Sequence, residues 1–377
     1  MKKALIDKLI PNSVMAAFLK SDVVPDINTE FVIRSVDIGY GFVKYTKGID
    51  KEGNIICDSF PSIAALSPQE EMGGSFFVKR NTKVIDSGGI HWEVGPDVGD
   101  IKTTNDVRAL HENFIHTEQW KVFLLGALAY MEEPVIDYLV LGLPVSDMPK
   151  ADMVVELAQK THMVNGSEVQ VKKVLVIPQP LGSLYNFAIQ KQDMFSRFMN
   201  SNTLVADPGY LTFDFLTTKG FSVNAHRSGA RPGGMSSILN GIASSISKEE
   251  KTEFDDLEQI DAALKIHLPK QEGEERHVSL YGKEIELTPH IKNTVPIIES
   301  SMNYLLQKIG TSKDINQIVM GGGSSGIFVK SIKRQFPKHQ VIVLDDGIFA
   351  NSVGFLLWGI MTAYGLEIQN TLNKKAS

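Results

Sequence analysis

The chain has 377 residues and a formal net charge of -6, so it is long enough for two domains and lacks the basic excess that sequence-independent nucleic-acid binding requires. Apolar residues make up 43% and charged residues 22%, a globular composition that excludes a disordered or fibrous chain. A single cysteine, Cys57, excludes an intramolecular disulfide and a multi-cysteine zinc site and fits a reducing cytoplasm.

Taken in order, Leu5, Leu9, Ile10, Met15, Phe18 and Leu19 predict two short amphipathic helices broken at Pro11 and packed on the protein's own surface. Asp7 and Lys8 interrupt the apolar run that a secretory signal needs. After a polar hinge over 21–30, residues 31–36 read as a strand, Gly39 to Gly41 as a tight turn and 42–45 as the partner strand. Gly73-Gly74 and Gly88-Gly89 punctuate further short strands at 75–78 and 90–94. Val122, Phe123, Leu125, Leu128 and Ala129 predict a helix over 118–130, followed by a continuous buried strand over 135–142. Another strand is expected over 171–177, with a helix opening at Pro178 and running through Ala188.

The second half repeats the plan, with a strand at 203–206, a hairpin of 212–216 with 220–225, and helices over 235–247, 256–266 and 289–309. The charged stretch 269–276 reads as a solvated connector. A strand at 315–320 ends in Gly321-Gly322-Gly323, and a final strand at 340–344 turns through Asp345-Asp346-Gly347 into a helix over 349–365. Ala350, Ser352, Gly354 and Gly359 imply that another helix packs closely against it. The apolar runs at 122–131 and 353–366 are too short to span a bilayer, so no membrane span is expected.

Two junctions carry the chemistry: Asp37-x-Gly39-Tyr40-Gly41-x-x-Lys44 and Asp207-Pro208-Gly209-Tyr210-Leu211-Thr212-x-Asp214. In each, an apolar β-branched run ends at an acid, and glycine then allows the close backbone approach that a phosphate needs. Either alone is compatible with an ordinary hairpin, since Asp and Gly are default turn formers. One in each half implies a duplicated fold gripping one nucleotide from both sides.

In this order the motifs resemble those of the actin, sugar kinase and DnaK-type ATPases, and among them the plasmid-partition actins of the ParM/StbA type, with the PRTRC-type protein D group as a close look-alike. The resemblance covers nearly everything after residue 30. It implies an α/β, two-lobed actin-like (ribonuclease H-like) ATPase fold with a nucleotide cleft between duplicated domains: domain I over 31–190 plus 346–377, domain II over 191–345, and an N-terminal extension over 1–30. It implies ATP/ADP and Mg2+ as cofactors, with Asp37 and Asp207 as the metal-holding carboxylates. Asp37, Gly39, Tyr40, Gly41 and Lys44 match a first phosphate loop, and Gly209, Tyr210 and Thr212 a second.

Pro208 and Tyr210 replace small or aliphatic residues of that pattern, and Leu211 stands where many relatives carry a hydroxyl. Gln179 matches the residue that positions the hydrolytic water, and Asp207 is the second catalytic candidate. Since glutamine orients water without acting as a strong base, slow hydrolysis is implied. Gly233 and Gly234 match a glycine turn before a helix, and Gly321, Gly322 and Gly323 an adenosine motif. Residues 349–354 match a second linking helix that forms the hinge between the domains.

The implied function is a cytoplasmic actin-like ATPase that forms nucleotide-dependent filaments and segregates plasmid DNA. Its partners would be itself and a DNA-binding adaptor, with no direct nucleic-acid contact and no membrane. A small-molecule kinase or a nucleotide-sensing scaffold on the same fold is the alternative. His91, His111, His116 and His162 lack metal-ligand spacing, and Trp92, Trp120 and Trp358 read as packing residues. No Gly-x-x-x-x-Gly-Lys-Ser/Thr loop and no Gly-x-Ser-x-Gly elbow occurs.

Overall fold

The computed structural model describes residues 3–20, 29–67, 80–100, 113–191, 194–264 and 276–376. The chain divides into two compact units, Met1–Phe195 with Asn351–Ser377, and Ser196–Ala350.

The first unit opens with α1 (Lys3–Leu9) and α2 (Asn12–Leu19), separated at Pro11, whose ring offers no amide to continue a helix. Ile10 and Met15, with Ile6 and Val14, are buried and Leu5, Leu9, Phe18 and Leu19 half-buried, so the two helices pack on the protein itself, as expected. There follow β1 (Ile33–Ile38), β2 (Phe42–Ile49), β3 (Ile55–Pro61), β4 (Ala65–Leu66), β5 (Lys83–Ser87), β6 (Ile90–Val94), α3 (Glu118–Met131), β7 (Val135–Ile136) and β8 (Tyr138–Leu143). The unit continues with α4 (Ala151–Ala158), β9 (Thr161–Val164), β10 (Ser167–Val171), β11 (Val174–Pro178) and α5 (Gln179–Gln190). Its main sheet has the order β11-β8-β1-β2-β3, and α3 buries Trp120, Phe123 and Leu124 in the core beside it. Every residue of β1 is buried, as a central strand covered on both faces requires.

Two strands expected to be continuous are broken. At Asp137, the carboxylate accepts from Val32 N at 2.7 Å and the amide donates to Val32 O at 2.8 Å, so β7 and β8 enter different sheets. The exposed pair Lys172-Lys173 likewise separates β10, which pairs with β7, from β11, which pairs with β8.

After α6 (Phe195–Met199), the second unit holds β12 (Asn202–Pro208), β13 (Thr212–Lys219), β14 (Ser222–Pro232), α7 (Met235–Glu250) and α8 (Leu257–Leu264). Then come β15 (His277–Leu280), β16 (Lys283–Glu286), α9 (Thr288–Lys292), α10 (Val295–Ile309), β17 (Ile315–Met320), α11 (Ser325–Gln335) and β18 (Gln340–Val343). The helix expected over 289–309 is two helices, because Pro296 has no amide for the Lys292 carbonyl and the chain restarts there. The β15–β16 hairpin, turning at Tyr281 (φ 50°) and Gly282 (φ 80°), is a further departure. The strand expected at 75–78, the 21–28 part of the hinge and nearly all of the 269–276 connector lie outside the described residues.

The second sheet has the order β14-β13-β12-β17-β18. Both sheets are therefore an antiparallel meander of three strands followed by two parallel ones, the same topology twice in one chain. Finally α12 (Ala350–Ala376) returns to the first unit. It crosses α5 at bare backbone: a Cβ on Gly354 would lie 1.7 Å from Gly182 O, so no side chain fits at that crossing. Ser183 N and Oγ both donate to Asn351 Oδ1 beside it, at 3.1 and 2.7 Å.

Candidate functional site

In the first unit, Asp37 is the penultimate residue of β1 and lies opposite Lys44 across the antiparallel ladder. The turn closes with Gly39 N donating to Phe42 O at 3.1 Å. Neither Gly39 nor Gly41 has a positive φ. Glycine at 39 instead leaves space, since a Cβ there would lie 3.2 Å from Phe42 O and 3.3 Å from Lys44 Nζ. Ser62 holds the turn through its amide to Gly41 O at 3.0 Å and its hydroxyl to Gly39 O at 2.5 Å. Tyr40 stacks on Phe114 with ring centroids 4.5 Å apart, which ties this residue of the turn to the interior.

Asp37 is 1% exposed, and both its oxygens are engaged. Lys44 Nζ donates to Oδ2 at 2.6 Å, and Gln179 Nε2 donates to Oδ1 at 2.7 Å. The sheet explains the second contact. Asp37 pairs with Gly142 of β8, Gly142 pairs with Ile177 of β11, and Gln179 begins α5 two residues later. A Cβ on Gly142 would lie 3.2 Å from Gln179 Cγ, so the bare backbone of β8 leaves the path by which Gln179 reaches Asp37. The two candidates therefore meet, 142 residues apart in sequence.

In the second unit, Asp207 lies opposite Asp214, and the turn closes with Gly209 N donating to Thr212 O at 2.9 Å. The Thr212 hydroxyl donates to Asp214 Oδ2. Gly321, Gly322 and Gly323 follow β17, which is parallel to β12. Gly322 has φ +79°, and a Cβ there would lie 2.3 Å from Asp207 Oδ1 and 2.8 Å from Pro208 O. Gly321 and Gly322 are buried and Gly323 is half-buried, so part of the triple glycine packs on the second loop.

Gly233 and Gly234 are buried too. Their amides donate to Leu211 O at 3.3 and 3.1 Å, while Met235 N donates to Gly209 O at 3.0 Å and Ser236 N to Tyr210 O at 2.7 Å. The carbonyls of the second loop thus take up the first amides of α7, which fixes the loop's shape from its outer side. Tyr210 packs against the core of this unit, the same use of an aromatic turn residue as Tyr40.

Among the described residues, no group of three or more His, Cys, Asp or Glu side chains is placed to hold a metal ion. A hard cation at these carboxylates would have to take most of its oxygen ligands from phosphate and water. His162 donates to Ala158 O at 2.9 Å, and burial pushes its imidazole below the ordinary range, as a core histidine. His91 and His116 are exposed, and His111 lies outside the described residues. Trp120 is buried, Trp92 packs on the core of the first unit, and Trp358 sits 6.4 Å from Tyr185. Cys57 is half-buried, and no described helix is long and apolar enough to cross a membrane.

Sequence reasoning missed Ser62 and Gly142, which carry no local signal beyond their neighbours in the fold. It included Asp214 in the second motif without a role. Its distance from Asp207 equals that of Lys44 from Asp37, and this equality was the available clue.

Residues 35–182 match the family model described as the actin-like proteins N-terminal domain. No curated protein matches the chain significantly. Among solved structures, the chain is similar to an apo ParM protein of pSK41, with 19% identity over 90% of this chain and 100% of that one and a TM-score of 0.63. It is similar to ParM from a 15-stranded filament of Clostridium botulinum, with 19% identity over 88% and 99% and a TM-score of 0.68. An archaeal actin homologue solved in complex with ADP matches with 16% identity over 86% and 98% and a TM-score of 0.65. The chain has the actin-like fold, and the resemblance to ParM-type proteins holds at that level.

Proposed function

We propose, from the actin-like fold as premise, that this protein is an ATPase that binds Mg-ATP, polymerises into nucleotide-dependent filaments and segregates plasmid DNA through a DNA-binding adaptor. The observation that carries the reading is the acid-and-glycine hairpin repeated at equivalent places in two sheets of one topology. Such turns offer backbone amides to phosphate oxygens, and Lys44 adds a positive charge in the first. Asp37 and Asp207 are the carboxylates offered to magnesium through its water shell, each oxygen of Asp37 keeping a second lone pair beside its bond to Gln179 or Lys44. Magnesium, carried with the nucleotide, supplies neutralisation of the phosphate charge.

Gln179 is the residue offered to the attacking water. A glutamine amide accepts a hydrogen bond from water without taking its proton, which suits a slow reaction that times disassembly. That one neighbour is a filament and another holds ADP supports the reading.

Light scattering and negative-stain microscopy with ATP, with ADP and without nucleotide test it. Filaments dependent on ATP, with phosphate release at a slow rate, are expected. A soluble monomer that phosphorylates a metabolite would replace this reading with the small-molecule kinase. Gln179→Ala should retain ATP-driven assembly and slow phosphate release; loss of ATP binding instead would remove Gln179 from its role.

A further inference from the structure

Gln179 has two faces, an amide that donates and a carbonyl that accepts, and only one orientation presents an acceptor to a water molecule. The contact with Asp37 decides which. Asp37 Oδ1 takes Gln179 Nε2 at 2.7 Å, while Lys44 Nζ holds Oδ2 at 2.6 Å and fixes the carboxylate. With its amide given to Asp37, Gln179 keeps Oε1 for another donor. Asp37 itself is 1% exposed and cannot rotate freely, and glycine at 142 leaves room beside the contact, since a Cβ there would lie 3.2 Å from Gln179 Cγ.

We propose that Asp37 is the positioning residue of Gln179, fixing its amide so that Oε1 is the atom turned to water, with Lys44 acting as the clamp on Asp37. The proposal rests on the ATPase reading and goes beyond a metal-holding role for Asp37, because it assigns Oδ1 of the carboxylate to a protein donor.

The substitution Asp37→Asn tests it by reversing the polarity of the contact. The introduced carboxamide keeps its oxygen for Lys44 and turns its nitrogen toward position 179, so Gln179 must offer Oε1 to it and turn its own amide outward. In D37N, phosphate release at saturating Mg-ATP should fall about tenfold or more in kcat. In D37N/Q179E, the carboxylate at position 179 accepts from the carboxamide at position 37 and still has an oxygen for water, so release should recover most of that loss. A fault in magnesium binding would not be repaired by a change at 179.

A readout without nucleotide stands beside these rates: the side-chain amide of Gln179, followed by 15N NMR in the nucleotide-free protein, should exchange slowly in the wild type and about tenfold faster or more in D37N. If the double variant releases phosphate no faster than D37N, or if exchange is unchanged in D37N, the positioning role is overturned while a hydrolysing wild type keeps the ATPase reading standing. If the wild type releases no phosphate, that reading fails, and the catalytic part of the inference fails with it even where the exchange data show the contact.

Discussion

The β1–β2 turn and the β12–β13 turn close with the same hydrogen bond, from the glycine two residues after the acid to the carbonyl three residues on. Beyond the backbone they diverge. Across the ladder Asp37 faces a lysine, whereas Asp207 faces a second acid, Asp214. Asp37 is held by the side chains of Lys44 and Gln179, and beside Asp207 the bare backbone of Gly322 leaves no room for a Cβ. A duplicated backbone can thus carry two different local charges, and the difference is set by one residue seven places after each acid.

The largest effect expected from this contrast is at Gly322. Alanine there would meet Asp207 Oδ1 at 2.3 Å and adopt a φ of +79°, so G322A should cost about 4 kcal/mol in urea denaturation and abolish ATP binding. A loss below about 1 kcal/mol would mean the main-chain contact does not define the second loop.

G142A is the counterpart in the first unit. Its Cβ would lie 2.1 Å from Phe355 Cζ, and relief by a shift of that ring limits the cost to about 3 kcal/mol, with displacement of Gln179 and slower phosphate release. Lys44→Met leaves the buried Asp37 carboxylate without its ammonium and should cost about 2 kcal/mol, the Lys44 side chain being only 16% exposed.

Asp214→Asn keeps an oxygen for the Thr212 hydroxyl and should change stability by no more than about 0.5 kcal/mol, far less than Lys44→Met. If both substitutions destabilise equally in thermal unfolding, the two turns are not electrostatic opposites. Between them in kind, Gly39→Ala meets Phe42 O at 3.2 Å without a positive φ, so it should cost only about 1 kcal/mol and act mainly on nucleotide affinity, measured by calorimetry.

Much of this was legible in the sequence because each acid ends a buried strand and each glycine follows at fixed spacing. The strand at 315–320 was read from its apolar run before glycine, and the helix expected to open at Pro178 starts one residue later, with Pro178 as its cap. What was not legible was long-range. Asp137 splits an apolar run because its carboxylate meets Val32 N, a partner 105 residues away. Gln179 meets Asp37 because three strands align in register, and Gly142 gains meaning only once Phe355 and Gln179 pack over it. Pro296 was a local signal for a break in the 289–309 helix, overridden in the reading by the apolar periodicity around it.

The N-terminal helices have a practical bearing. A Cβ on Gly365 of α12 would meet Leu19 Cδ2 at 2.9 Å, and Tyr364 donates its hydroxyl to Thr29 O at 3.1 Å, so the start of the chain is seated on its last helix. A shortened version beginning at residue 31 would uncover that apolar flank and should aggregate.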